Sequence, residues 1–317
     1  MKRTPLIIDT DAGIDDALAI LLAMASPEVD IVAITISSGN CSAAQGIRNV
    51  RGILQLIGSG NIPVVKGVEV PLVQPPVFAP ETHGETGLGY AKLPEVSIHS
   101  NQKHSVDLII EQAFRYQGEV MIVTLGPLTN LALAIRREPA IIDKVKKVII
   151  MGGAIQHGGN TTPQAEFNIY CDPHAAHIVF HSGMPIILVP LDVTYQIILT
   201  QNHVQRLLQV DSPVTRFVSD STRYYMEYHK KYQQIDGCVI NDPLALALTF
   251  KPDLVNTRKL FVDVDLSSGV SMGKTFADFY NFLKQKANMS VALNVKSRVF
   301  IDLFLDRIVK LATRNLQ

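Results

Sequence analysis

The chain has 317 residues, 47% hydrophobic and 18% charged, with 29 basic side chains balancing 29 acidic ones. This balance excludes extensive disorder and gives no broad electrostatic face for nucleic acid or an anionic membrane. Three cysteines (Cys41, Cys171, Cys238) without CxxC spacing exclude a disulfide or cysteine–zinc framework and point to a reducing compartment.

The opening MKRTPLIIDT has basic residues but no long apolar core and no small-residue cleavage site. ALAILLAMA (17–25) is far short of the roughly 20 residues that span a bilayer, so a cytoplasmic chain with no membrane partner is expected. The first apolar run, PLIID (5–9), reads as a strand, followed by a helix over 15–26, a strand over 29–37 and a helix over 42–58. A strand over 62–68 leads into a Pro- and Gly-rich stretch, 71–94, that reads as a functional loop. A helix (104–117), strand (119–126), helix (128–137) and strand (146–153) follow, then an irregular stretch (154–171), a helix (172–183) and a strand (184–192). Further on, STRYYMEYHKKYQQIDG (221–237) reads as a tyrosine-rich helix.

The strands are apolar on both alternating faces, as in a parallel sheet covered on both sides. Strand–helix alternation without repeats or a linker predicts an α/β chain: a single domain, 1–317, with an open, mostly parallel, Rossmann-like sheet and helices on both faces. Ligands in such sheets bind beyond the carboxyl ends of the strands, where several polar clusters fall here.

DTDAGIDD follows the first strand and packs Asp9, Asp11, Asp15 and Asp16 into eight residues. Helix capping accounts for Asp15 and Asp16, with Gly13 allowing a tight turn, but not for Asp9 and Asp11. A hard cation such as Ca²⁺ or Mg²⁺ accounts for all four, although the spacing is not that of an EF-hand. A second acidic position, Asp242, precedes Pro243 and equally reads as a helix N-cap. LGPLTN offers the carbonyl of Leu125 to the same end of the sheet. Asn160, Glu166 and Asn168 make a hydrogen-bonding set for sugar hydroxyls, Glu166 and Asn168 lying on one side of Phe167 if the segment is extended; an ordinary polar loop has the same composition. His83 sits in HGETGLG as a loop histidine, and Tyr224, Tyr225, Tyr228, His229 and Tyr232 offer either a stacking surface for a planar base or a packed helix face.

Taken in order, DTDAGIDDALAI, SGN (38–40), HGETGLG, LGPLTNLA, MGGA, NTTPQAEFN and NDPLA resemble the inosine–uridine-preferring nucleoside hydrolases, over about residues 6–249. The resemblance implies a Ca²⁺-dependent hydrolase that cleaves the N-glycosidic bond of ribonucleosides to free base and ribose, in nucleoside salvage, and a homodimer or homotetramer. By motif position, Asp11, Asp16, the main-chain oxygen of Leu125 and Asp242 would hold one Ca²⁺ per subunit, with Asp11 also the general base for a calcium-bound water. Asp15, Asn40, Asn160, Glu166 and Asn168 would hold the ribose, with Met151 packing against the sugar and Phe167 beside it. His83, Tyr228, His229 and Tyr232 would face the base, and Asp9 would lie behind the site.

Physical chemistry agrees with these roles. Departure of the base builds positive charge on the ribose ring, which dense carboxylates stabilise. A 2′-deoxy substrate would leave buried polar groups unpaired, at about 1–3 kcal/mol per group.

One position departs from the pattern. Where many family members have a histidine proposed to protonate a purine, this chain has Asn241, which hydrogen-bonds but delivers no proton. His83, His229 or a tyrosine would then assist the leaving base, or the substrates need less assistance. The competing readings are a non-catalytic nucleoside- or ribose-binding homologue and, less favoured, a metal-dependent phosphohydrolase. The last lacks an Arg or Lys within these motifs to neutralise a transferring phosphate.

Overall fold

The structure, a computed structural model, describes residues 2–96 and 103–315. Its frame is an eight-stranded sheet. The strands are β1 (Thr4–Thr10), β2 (Val29–Ile36), β3 (Val64–Lys66), β4 (Met121–Thr124), β5 (Lys147–Met151), β6 (Ile186–Val189), β7 (Val255–Leu260) and β8 (Met289–Val295). They lie in the order β3-β2-β1-β4-β5-β6-β8-β7, and every pair is parallel except β8 with β7.

The six expected strands are all present, and their two-sided apolar character has its physical cause. Alternate residues enter opposite cores: Ile8, Ile34 and Val123 pack on one face, Ile7, Ala33 and Ile122 on the other. Helices α1 (Ile14–Met24) and α2 (Ala43–Leu56) cover the first face. Helices α3 (Ser105–Tyr116) and α4 (Thr129–Arg137) cover the second. ALAILLAMA belongs to α1, whose residues from Ile14 to Ala23 are all buried; a helix apolar all round is one enclosed by protein. Among the described residues no helix is long and apolar enough to cross a membrane.

Beyond β5, α5 (Phe167–Cys171) and α6 (Pro173–Phe180) precede β6; then come α7 (Pro213–Gln233), α8 (Asn241–Ala247) and, after β8, α9 (Ser297–Arg314). The tyrosine-rich helix starts eight residues earlier than 221, because Ser212 accepts the Thr215 N–H and Pro213 follows it as a ready first helical residue. Glu166 and Asn168 do not flank Phe167 on an extended segment: Glu166 caps α5, and Asn168 lies in its first turn. Asp242 is the second residue of α8, not its capping side chain. The 71–94 stretch is mainly irregular, with one short helical piece, Pro80–His83.

Candidate active site

The strand order reverses direction between β1 and β4, so their carboxyl ends open a crevice that no crossover helix covers. β1 delivers Asp11 to this crevice, β4 delivers Leu125, and α1 begins at its floor.

The left-handed turn after β1 falls at Ala12 (φ 53°), whereas Gly13 has an ordinary φ of −78°. Gly13 is therefore not the residue that permits the turn. A Cβ there would lie 2.4 Å from Asn40 Nδ2 and 2.7 Å from His83 Nδ1, so its missing side chain admits those two groups instead. Gly39 acts alike: a Cβ there would sit 2.0 Å from Asp11 Oδ2.

Of Asp15 and Asp16, the latter makes the capping-box bond, accepting the Gly13 N–H at 2.8 Å, and it also accepts from the Thr10 hydroxyl. Asn40 holds Asp11 through its N–H (2.7 Å) and Nδ2 (3.0 Å), and the same Nδ2 lies 3.0 Å from Asp16. Asp15 accepts from a different residue, Asn241, N–H at 3.3 Å and Nδ2 at 3.0 Å. A carboxylate only accepts, so the Asn241 nitrogen faces Asp15; its Oδ1 is buried without a partner.

Carboxylate oxygens of Asp15, Asp16 and Asp242 lie within 4.8 Å of one another. Burial pushes the Asp11, Asp15, Asp16 and Asp242 carboxyls upward; neighbouring carboxylates add to it at Asp11, Asp16 and Asp242, while hydrogen bonds from Asn241 oppose it at Asp15. Four buried carboxyls with no lysine or arginine hydrogen-bonded to them among the described residues, with the carbonyl of Leu125 at the same cavity, make an oxygen-only set that fits a hard cation. Asp9 stands behind them. It accepts from Thr35 (2.6 Å) and Asn130 (2.8 Å), its Oδ2 has no partner, and burial raises it to about 7.

One wall of the crevice is built by α5 and the turn after β5. Glu166 accepts the N–H groups of Asn168 (2.9 Å), Ile169 (3.2 Å) and Gly153 (2.9 Å). Burial still raises it to about 7, because desolvation outweighs these three donors. Asn168 Nδ2 reaches the carbonyls of Leu125 (2.7 Å) and Met151 (3.2 Å), tying β4, β5 and α5 together. Asn160 accepts the Phe167 N–H at 2.9 Å.

On the opposite side, His83 Nδ1 accepts the Ile14 N–H at 3.0 Å, so its own proton sits on Nε2. His229 Nδ1 lies 2.8 Å from the Tyr225 carbonyl and must donate to it, leaving Nε2 as an acceptor. Burial lowers both imidazoles to about 4, so both are neutral near pH 7. Tyr225 packs between them, with ring centroids 5.3 Å from His83 and 4.4 Å from His229. Tyr228 and Tyr232 pair at 5.0 Å further out, Tyr232 at the exposed rim.

One cavity of about 350 Å³ joins these walls. The expected site residues line it except Asp11 and Asp16, which lie fully buried beneath, and Tyr224, whose hydroxyl instead meets the carbonyls of Pro80 and Glu81. Sequence reasoning missed Phe78, Thr82, Tyr195 and Gln233, which also line it. Tyr195 follows the strand expected over 184–192, and burial raises its hydroxyl to about 12. Asp192 has a structural task, accepting the N–H groups of Ile155, Gln156 and His157.

The model of the inosine-uridine preferring nucleoside hydrolases matches residues 6–302. This chain belongs to that family. It is 38% identical over 305 residues to the pyrimidine-specific ribonucleoside hydrolase RihA of Escherichia coli, covering 96% of this chain and 98% of the relative. Among solved structures, the purine-preferring ribonucleoside hydrolase from Gardnerella vaginalis is 33% identical, with a TM-score of 0.93 and coverage of 98% and 99% of the two chains. A plant nucleoside hydrolase, PpNRh1, is 32% identical, with a TM-score of 0.93 and coverage of 97% and 99%. The nucleoside hydrolase fold thus accounts for nearly the whole chain, and membership makes it an N-glycosyl hydrolase by family.

Proposed function

We propose that the protein hydrolyses the N-glycosidic bond of ribonucleosides, releasing free base and ribose, with Ca²⁺ as its metal. The observation that carries this reading is the junction of three chemistries in one cavity: a carboxylate floor, an amide-and-carboxyl wall, and a base-side wall of neutral imidazoles and phenols. Asp11, Asp16, Asp242 and the Leu125 carbonyl would hold the cation. Bound there, it would neutralise the floor and lower the pKa of water at the site.

Asp11 is fixed from two sides by Asn40 and takes the proton of the attacking water. Asp15, held by Asn241, together with Glu166, Asn160 and Asn168, presents acceptors and donors to the ribose hydroxyls. As the bond to the base breaks, positive charge grows on the sugar, and the carboxylates beneath it stabilise that charge. The leaving base meets hydrogen-bond donors, not a stored proton: His83 Nε2–H and the hydroxyls of Tyr225 and Tyr195, which burial keeps protonated. Since the named relatives include both pyrimidine-specific and purine-preferring enzymes, the family does not decide the base.

Incubation with inosine, adenosine, uridine and cytidine, followed by reducing-sugar assay, tests the reading. Ribose release from at least one is expected; none from any, with nucleoside binding intact, would leave a binding protein.

A further inference from the structure

Among the described residues, a second group of metal-capable side chains lies outside the cavity: His177, His181 and Asp263. His177 is in α6, and His181 is the residue that ends it. Four positions apart, the two imidazoles share one helix face, with ring centroids 4.4 Å apart. Asp263 comes from a separate element, the Val262–Val264 strand that pairs antiparallel with Thr275–Ala277. Its carboxylate is fixed by the Val264 N–H at 2.8 Å.

His177 Nδ1 lies 2.9 Å and His181 Nε2 lies 3.1 Å from the same oxygen, Asp263 Oδ1. The three ligand atoms all fall within 4.8 Å of one another. A tetrahedral zinc with bonds of about 2.0–2.1 Å separates its ligands by about 3.3 Å. The two His–Asp263 separations need to grow by only a few tenths of an ångström to match, and the two imidazole nitrogens lie within 4.8 Å of each other, so the three atoms can take three corners of such a site. The imidazoles are about two-fifths exposed, so an ion can enter.

We propose that His177, His181 and Asp263 form a binding site for a divalent transition metal of the zinc class, distinct from the carboxylate floor of the cavity. The two groups have opposite chemistry. Two imidazoles and one carboxylate favour zinc, nickel, copper or cobalt over calcium, and the all-oxygen floor has the reverse preference. The site joins α6 to a hairpin that also braces the cavity. Thr275 Oγ1 accepts the Ala154 N–H at 2.8 Å and donates to the Ala154 carbonyl at 3.0 Å, beside the Gly153 N–H that holds Glu166. Metal at this position cross-links two surface elements, and it does so whether or not the protein hydrolyses nucleosides.

The test is calorimetric titration of Zn²⁺ into the full chain kept in excess Ca²⁺, so that the carboxylate floor is held by its own class of ion. Tight binding of one Zn²⁺ per chain is expected, weakened at least about ten-fold in His177→Ala and in Asp263→Asn. Asp263→Asn keeps the size of the side chain and removes only its charge. Co²⁺ added under the same conditions gives a visible absorption band from low-symmetry coordination in the wild type, lost in His177→Ala/His181→Ala. Zn²⁺ affinity unchanged in these variants, or abolished only by Asp242→Asn, overturns the proposal.

Discussion

Asn241 donates its side-chain nitrogen to Asp15 at 3.0 Å and leaves its own Oδ1 buried without a partner. The residue that looked like a missing proton donor is thus a positioning group for a carboxylate. Removing it frees Asp15 and costs a hydrogen bond to a charged acceptor, worth about 1.5–3 kcal/mol. Asn241→Ala is expected to lower kcat/KM roughly 10- to 150-fold, to a similar degree for purine and pyrimidine nucleosides, because the proposed function gives Asp15 to the sugar and not the base. A loss confined to purines would instead make Asn241 a leaving-group residue.

The floor predicts a response to metal removal. Four buried carboxyls repel one another unless a cation or protons intervene. A chelator is expected to abolish hydrolysis and lower Tm, and Ca²⁺ to restore both; at a hundred-fold excess over Kd the ion stabilises by about 2.7 kcal/mol. Asp242→Asn removes one repelling charge, so its metal-free form should melt above the metal-free wild type while losing the response to Ca²⁺. Thermal melts with and without chelator measure both effects.

Glu166 sets a pH dependence of stability. Its folded pKa of about 7 lies above the ordinary 4.5, so the folded state holds the proton more tightly than the unfolded chain. This contribution is fully present below pH 4.5 and is lost as pH rises through about 7. Its size is of the order of 3 kcal/mol. Glu166→Gln reduces the slope between these limits by Glu166's share, the other raised carboxyls keeping theirs, although it also sets an amide against one backbone donor and lowers stability at every pH. Denaturant melts at several pH values give the slope.

How much of this was legible beforehand depended on how local each cause was. Six of the seven parallel strands were legible because burial on both faces leaves continuous apolar runs such as LII and VIIM, while the seventh, β8, went unread. β7 (VNTRKL) is an exposed antiparallel edge strand whose polar middle carries no such signal, and it went unread. Asp11, Asp15, Asp16 and Asp242 were legible as a set because repulsion among carboxylates demands an explanation. Which of them caps and which contacts Asn241 was not, because Asp15 meets Asn241 across 226 residues of chain. Tyr195 reaches the cavity only through tertiary packing and sits in no motif, and Gln233 lies in the tyrosine-rich stretch, where the aromatic residues alone drew attention.

The neutral imidazoles predict the shape of the rate profile. His83 and His229 are both lowered to about 4, so neither carries a transferable imidazolium proton at neutral pH. The pH profile of kcat is expected to show no descending limb near the ordinary histidine pKa of about 6.5. Tyr225→Phe removes a donor yet keeps the ring against both histidines, so it should lower kcat with little change in KM. A profile that falls through pH 6.5 and flattens in His83→Gln would return the proton-donor role to His83.

Gly39→Ala isolates the placement of Asp11 from its chemistry. The added Cβ would stand 2.0 Å from Asp11 Oδ2, well inside contact distance, so either the loop after β2 or the carboxylate must move. Asn40, the next residue, holds Asp11 and also touches Asp16, so a loop shift carries the disturbance to both. The methyl lies at the crevice and not in either hydrophobic core, which keeps the fold. A fall in kcat of at least about a hundred-fold is expected, as misplacement of a catalytic group by about 1 Å brings. The variant should retain a cooperative thermal transition and lose much of its Ca²⁺ response. Full activity in Gly39→Ala would mean that Asp11 does not need the position in which Asn40 holds it, and the general-base assignment would fall with it.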